Sequence, residues 1–261
     1  MNRRFACTAC GKCCFGWLPL TLTDALAHAD LFPLGLVWSP VRQGHKAFAL
    51  TARLGTTIRL PDRRELAIRI VPTAYIPPSL PCPALGADAL CSIQAAKPSR
   101  CRTMPFFPYR EERDQADLLV PRKGWACDVS DAAPVVYGGK TIVAREDFDR
   151  ERHDLLTQAP VLKAYADAMV RTVPGLLEGL VRAVAKPVGG DVLLSFATLL
   201  PRLDGVDAGQ VAQQQLPVLE DFTARTAGLA DYPERYGEWR RDMARLARKK
   251  TADQPTPSTE G

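Results

Sequence analysis

The sequence predicts an α+β fold, mostly helical, in which a cysteine-rich N-terminal half with a small antiparallel β element packs against a C-terminal helical region. Three observations predict it. All eight cysteines lie at or before Cys127. Between Ala47 and Ile76, apolar and β-branched residues alternate as they do in strands. From about Arg145 to Arg248, apolar residues recur near the helical period. The expected division is a cysteine-cluster domain over 1–130, a helical region over 131–248 and a disordered tail over 249–261.

The 261 residues suffice for a sizeable core, and 46% apolar with 24% charged residues is ordinary for a globular chain. The longest late apolar stretch, Val192 to Leu200, is too short for a bilayer span, which needs about 20 residues. Arg3 and Arg4 precede a moderately apolar stretch, but Lys12 and four cysteines interrupt it, so no export signal is read there. A cytoplasmic protein without membrane contact is expected. The net charge of +5 assumes neutral thiols. Eight thiolates holding two zinc ions would reduce it to +1, so the basic excess argues little for nucleic acid.

The N-terminal stretch Cys7-Thr8-Ala9-Cys10-Gly11-Lys12-Cys13-Cys14 packs four thiols into eight residues. An apolar lead-in, Phe15 to Leu20, precedes a helix expected through about Leu31, with Thr21 or Thr23 as its cap. His28 on that helix reads as a surface or core histidine rather than a ligand. Phe48, Leu50, Thr57 to Leu60 and Leu66 to Val71 read as strands, with Pro61-Asp62-Arg63-Arg64 as a turn. Proline-rich Pro72 to Pro83 is an extended connection that delivers Cys82. Gly86 and Asp88 loop the chain from Cys82 to Cys91, and a short helical turn ends at Pro98, just before Cys101. Arg102 follows as a donor to thiolate sulfur, and Phe106 as part of an aromatic shield. Glu111 to Asp114 reads as a solvated turn. Cys127 ends the thiol set.

In the second half, Pro160 reads as a helix start. Further helices are expected over Pro174 to Ala185, Asp191 to Leu200, Val206 to Thr226 and Pro233 to Arg248. The basic end from Arg240 to Lys250 complements a helix C-terminus, and no aromatic platform makes it a nucleic-acid contact.

The thiol spacing carries the chemistry. Cys7-x2-Cys10-x2-Cys13 is the interval at which ferredoxin-type runs place three thiolates on one cluster, with the fourth ligand from elsewhere. The same interval contains the Cys-x2-Cys half-site of tetrahedral zinc. Spacing alone leaves iron-sulfur and zinc both open, as it does the partition of eight ligands between centres. Secreted disulfide scaffolds are usually shorter, and the adjacent Cys13 and Cys14 suit ligation better than bridging. The candidate ligands are therefore Cys7, Cys10, Cys13, Cys14, Cys82, Cys91, Cys101 and Cys127.

Taken with Leu80-Pro81-Cys82-Pro83, Cys91-Ser92-Ile93 and Pro98-x2-Cys101-Arg102-x2-Pro105-Phe106, this run resembles the YkgJ-type cysteine-cluster family over about residues 5–127. The resemblance implies chelation of zinc or iron, without a defined reaction. The flagellin lysine-N-methylases carry a similar cluster and link it to methyl transfer. The chain departs from the family in a long β insertion between Cys14 and Cys82, and in Asp128 where the family often has Pro-Gly.

Three functions compete on this reading. The first is a protein holding an iron-sulfur cluster, 4Fe-4S favoured, or zinc, redox-active and serving a protein partner. The second is a structural zinc module that presents the helices to a partner. The third is a methyltransferase, for which no glycine-rich nucleotide loop is present. Three scattered histidines, His28, His45 and His153, offer no hydrolytic signature.

Overall fold

The computed structural model describes residues 2–60, 62–187 and 189–253. In chain order the elements are β1 (Arg3–Arg4), β2 (Leu18–Pro19), α1 (Leu22–Ala27), β3 (Leu34–Arg42), α2 (Phe48–Leu54), β4 (Thr56–Arg59), β5 (Glu65–Ala74), α3 (Ser99–Thr103), β6 (Val135–Gly138), β7 (Thr141–Ile142), α4 (Glu146–Thr172), α5 (Leu176–Ala185), β8 (Val192–Ser195), α6 (Ala208–Arg225) and α7 (Tyr232–Asp253). The class is α+β with antiparallel sheets, as the sequence predicts.

The long strand β5 organises the main sheet. It pairs with β3 from Leu34↔Ala74 to Arg42↔Leu66, and β8 joins the far side of β3 from Gly35↔Ser195 to Trp38↔Val192. On its other edge β5 takes β4 at one end and β2 at the other. The turn between β4 and β5 falls where expected: the Leu60 amide donates to the Arg64 carbonyl, and Arg63 adopts a left-handed φ of 69°. Pro61 lies outside the described residues. Runs of consecutive buried residues in β3 and β5 mean that both faces of the sheet are covered. A second sheet of order β1-β6-β7 ties the N-terminus to the segment after Cys127.

One core draws on both halves of the chain. It runs from Leu20 and Trp38 through Ile68 and Ile70 to Tyr165 of α4, Phe222 of α6 and Trp239 and Met243 of α7. Gln215 of α6 clamps the turn after α1, donating to the Ala29 and Phe32 carbonyls and accepting from the Leu34 amide.

The structure corrects five local expectations. The Asp191 to Leu200 segment is strand β8 followed by single 3-10 turns, not a helix. A short apolar run has no decisive period, and the vacant edge of β3 settles it. Phe48 and Leu50 lie on helix α2, not on a strand, with Leu50, Thr51 and Leu54 on its buried face. Pro160 does not start a helix but sits inside the long α4. Both Pro160 and Leu156, the residue whose carbonyl loses its helical partner, are exposed, so the break falls on the solvent side of the helix. Glu112 is half-buried rather than a free surface residue; it accepts from the Ile142 amide at 2.7 Å and pairs with Arg145. Helix α7 continues past the expected end at Arg248 to Asp253, and the remaining tail, 254–261, lies outside the described residues.

Candidate metal centre

Two short antiparallel pairings draw the Cys7 to Cys14 run into place. At its start, Ala6 and Asp128 exchange amide-carbonyl bonds of 2.8 and 3.0 Å, and the Thr8 hydroxyl donates to the Ala126 carbonyl at 3.0 Å. Cys7 lies between the first two anchors on one side, and Cys127 between them on the other. At its end, Phe15 pairs with Pro81, and the Cys82 amide donates to the Cys14 carbonyl at 2.7 Å. Between them, Gly11 at φ +69° lies against Leu85 and Ala89, so the run is seated on the loop that joins Cys82 to Cys91. Only glycine reaches that conformation without strain, and an added Cβ would press on Leu85 at 3.3 Å.

The loop closes on itself. Leu85 pairs with Cys91, the Ser92 amide and hydroxyl both donate to the Ala84 carbonyl, and the Gly86 amide donates to Leu90. A 3-10 turn over Gln94–Ala96 then leads to α3, which carries Cys101. His28 donates from Nε2 to the Ala96 carbonyl at 2.9 Å, bracing this segment from α1. Replacing His28 by Ala is expected to cost about 1 kcal/mol and to leave metal content unchanged. Elemental analysis of the variant checks this, and a marked loss would make His28 a ligand.

All eight cysteines are free; Cys7 and Cys13 are exposed and the others half-buried. Backbone groups act on several sulfurs. Cys7 accepts from Ala9 at 3.4 Å, and burial raises Cys82 although the Ala84 and Leu85 backbone pulls it back. For Cys10 the Lys12 and Ala126 amides hold the thiol below its ordinary range. Cys13 accepts a hydrogen bond from the Cys14 thiol, which lowers Cys13 and raises Cys14. Burial, reinforced by the charges of Cys82 and Cys13, pushes Cys101 up to about 12. Burial likewise raises Cys127, with Cys10 and Cys7 as the next causes. Among the described residues, no three His, Cys, Asp or Glu side chains converge on a point where a metal ion would sit. The chemistry of the donors nonetheless suits a soft metal: they are free thiols from separate segments, with the Ala9 amide directed at the Cys7 sulfur.

The two non-cysteine residues expected at the centre lie elsewhere. Arg102 reaches no sulfur; its guanidinium donates to the Lys97 and Ala95 carbonyls at 3.0 Å each and splints the segment between Cys91 and Cys101. Phe106 packs in a small core with Phe5, Leu119, Tyr137, Ile142 and Phe148, against which Cys127 rests. It shields the Cys127 side alone.

Sequence reasoning missed Arg100. This residue, 5% exposed, lies one position before Cys101 and donates to the Phe106 carbonyl. Its Nη1 stands 3.7 Å from Oε2 of buried Glu151 on α4. Its charge acts on both Cys13 and Cys101. The missed signal was Glu151, a carboxylate between the apolar residues Phe148 and Leu155 that lies on the buried face of α4 and needs a buried cation to face it. Burial lifts the Glu151 carboxyl above the usual glutamate range, although Arg100 and Thr103 pull it back. The folded state therefore holds this proton more tightly than the unfolded chain. Stability falls as pH rises from the ordinary glutamate range through the raised folded value. Denaturation midpoints across that window should decline in the wild type, and Glu151→Gln should flatten the decline.

A polar cleft of about 180 Å³, lined by Asp24, Lys97, Ser99, Arg102, Asp147 and Arg150, adjoins the Cys91 to Cys101 segment. It has no aromatic or aliphatic side chain in its lining, unlike ordinary small-molecule pockets.

No protein-family model, no curated protein and no solved structure matches this chain. Among the described residues, no helix is long and apolar enough to cross a membrane.

Proposed function

We propose that this is a metal-binding protein whose clustered thiolates hold an iron-sulfur cluster, 4Fe-4S in first place, or zinc. The observation that supports it most is the backbone pairing at both ends of the Cys7 to Cys14 run, which sets Cys7 beside Cys127 and Cys14 beside Cys82. Such a cluster would supply one-electron redox chemistry, and the chain's own groups would tune it. The Ala9 amide donates to the Cys7 sulfur, the Lys12 and Ala126 backbone lowers the Cys10 thiol, and Lys97 and buried Arg100 offset charge at Cys13. In this reading the partner is a redox protein, the setting is cytoplasmic, and neither membrane nor nucleic acid is engaged. The resemblance to the YkgJ-type family supports the same chemistry.

Replacing Cys10 or Cys13 by Ser is expected to remove most of the bound metal and to lower the melting temperature, because binding free energy is also folding free energy. Metal content and melting temperature both unchanged in both variants would overturn the proposal.

A structural zinc site is the second reading, favoured by one observation. From Pro77 to Pro98 the chain has no helix or strand beyond isolated bridges and a 3-10 turn, so a metal would supply order that secondary structure does not. Iron-sulfur protein is coloured and zinc protein is not, which separates the two.

A further inference from the structure

The polar cleft beside the Cys91 to Cys101 segment is a site that thiol chemistry does not use. Three parts of the chain build its walls. Helix α1 supplies Asp24, the segment running into α3 supplies Lys97, Ser99 and Arg102, and α4 supplies Asp147 and Arg150. Its volume of about 180 Å³ is the liquid volume of about six waters, which suits a molecule the size of one free amino acid. Several of the polar groups are held by bonds of their own. Oδ2 of Asp24 accepts from the Thr21 hydroxyl at 2.9 Å and from the Ser99 amide at 3.0 Å. Arg102 spends Nε and Nη2 on the Lys97 and Ala95 carbonyls, so its guanidinium plane is fixed while Nη1 makes no bond among the described residues. Arg150 is paired with Glu146 at 2.7 Å and with Asp147 at 3.3 Å. Lys97 enters no ion pair among the described residues. Groups already fixed before a ligand arrives lose little freedom when it binds.

We infer that this cleft binds a small dicarboxylic amino acid, of the aspartate or glutamate class. Charge decides the occupant. The lining carries three cations, Lys97, Arg102 and Arg150, against two carboxylates, Asp24 and Asp147. The complementary ligand therefore has two carboxylates and one ammonium. Lys97 and the free Nη1 of Arg102 come from one segment and meet one carboxylate, with Arg150 left for the other. Asp24 and Asp147, from α1 and α4, meet the ammonium. The Arg150 pairs are solvent-exposed and worth little, so they yield to a ligand at small cost. The absence of any aliphatic or aromatic side chain in the lining disfavours an apolar ligand. Occupancy would tie the segment between Cys91 and Cys101 to α1 and α4 whether or not the thiols hold metal.

The test is titration calorimetry and thermal melting of the full chain, kept reduced, with L-glutamate and L-aspartate as probes. At least one is expected to bind with unit stoichiometry and to raise the melting temperature, as any ligand of the folded state does. Glutarate, which lacks the ammonium, and L-glutamine, which lacks one carboxylate, should each bind roughly tenfold more weakly, the loss of one charge-assisted bond. Lys97→Gln and Asp147→Asn should weaken the amino acid by a similar factor while leaving far-ultraviolet circular dichroism unchanged. Glutarate or inorganic phosphate binding as well as the amino acid would overturn the assignment and make the cleft a simple anion site. No heat and no melting shift at millimolar amino acid would overturn it outright. The series of ligands on the wild type decides the question even if a variant does not fold.

Discussion

Replacing Glu151 by Ala is expected to destabilise the protein by about 3–5 kcal/mol, the cost of leaving one member of a buried ion pair alone. Glu151 and Arg100 are 3% and 5% exposed at the side chain, and their nearest charged atoms are 3.7 Å apart. Neither Arg100 Nη1 nor Glu151 Oε2 has a hydrogen bond of its own. Removing the carboxylate therefore strands a guanidinium that water cannot reach. The damage should be local as well as global, since Arg100 and Cys101 are neighbours on α3, and α3 packs on α4 through this pair. Urea denaturation measures the first effect, and metal retention at fixed protein concentration measures the second. Arg100→Met combined with Glu151→Leu should recover much of the stability, because well-packed apolar replacements of buried pairs are often neutral or better. A change below about 1 kcal/mol for Glu151→Ala would mean that the pair is hydrated and that Arg100 needs no partner.

Replacing Gly35 by Val should have a comparable effect for a steric reason. Gly35 lies in β3, paired with Thr73 on one side and Ser195 on the other, and the Trp239 ring of α7 rests directly on it. An added Cβ would stand 2.2 Å from the ring, and both neighbouring strands hold the backbone in place. Trp239 is 3% exposed and touches Tyr75 and Tyr236, so the ring has nowhere to retreat without undocking α7. The expected cost reaches or exceeds the upper end of the roughly 1–3 kcal/mol of ordinary overpacking. Introducing Trp239→Leu into the Gly35→Val background should return part of it, because the two changes meet at one contact and are not additive. Equal stability of wild type and Gly35→Val in urea would show that α7 is loosely seated.

The sequence disclosed features whose cause is local. Thr21 caps α1, its side chain accepting from the Asp24 amide, and the turn after β4 sits on its polar residues. Helices α5 and α6 lie close to where periodicity places them. Features decided by distant partners stayed hidden. Strand β3 contains Gly35 and Pro40, both strand breakers by propensity. Gly35 is there for Trp239, and Pro40 lies beyond the end of β8, where that side of β3 is an edge. Segment β8 became a strand because β3 offered an edge, which no window around Val192 to Ser195 records.

The candidate centre divides in the same way. Thiol spacing named the eight cysteines, but the spacing of Cys101 and Arg102 drew attention to the wrong arginine. In the short helix α3, Arg100 faces the core and α4 while Arg102 faces the surface, a distinction of helical phase. It becomes visible only when the position of Glu151 is known.

The central claim is metal ligation by clustered thiolates. Its most direct test is elemental analysis, with acid-labile sulfide and a visible spectrum, of full-length protein purified without oxygen. The account predicts iron with sulfide and a broad brown absorbance, or zinc without colour if the centres are structural, in either case lost when Cys10 and Cys13 are replaced. Protein free of both metals, with its thiols oxidised to disulfides, would contradict it.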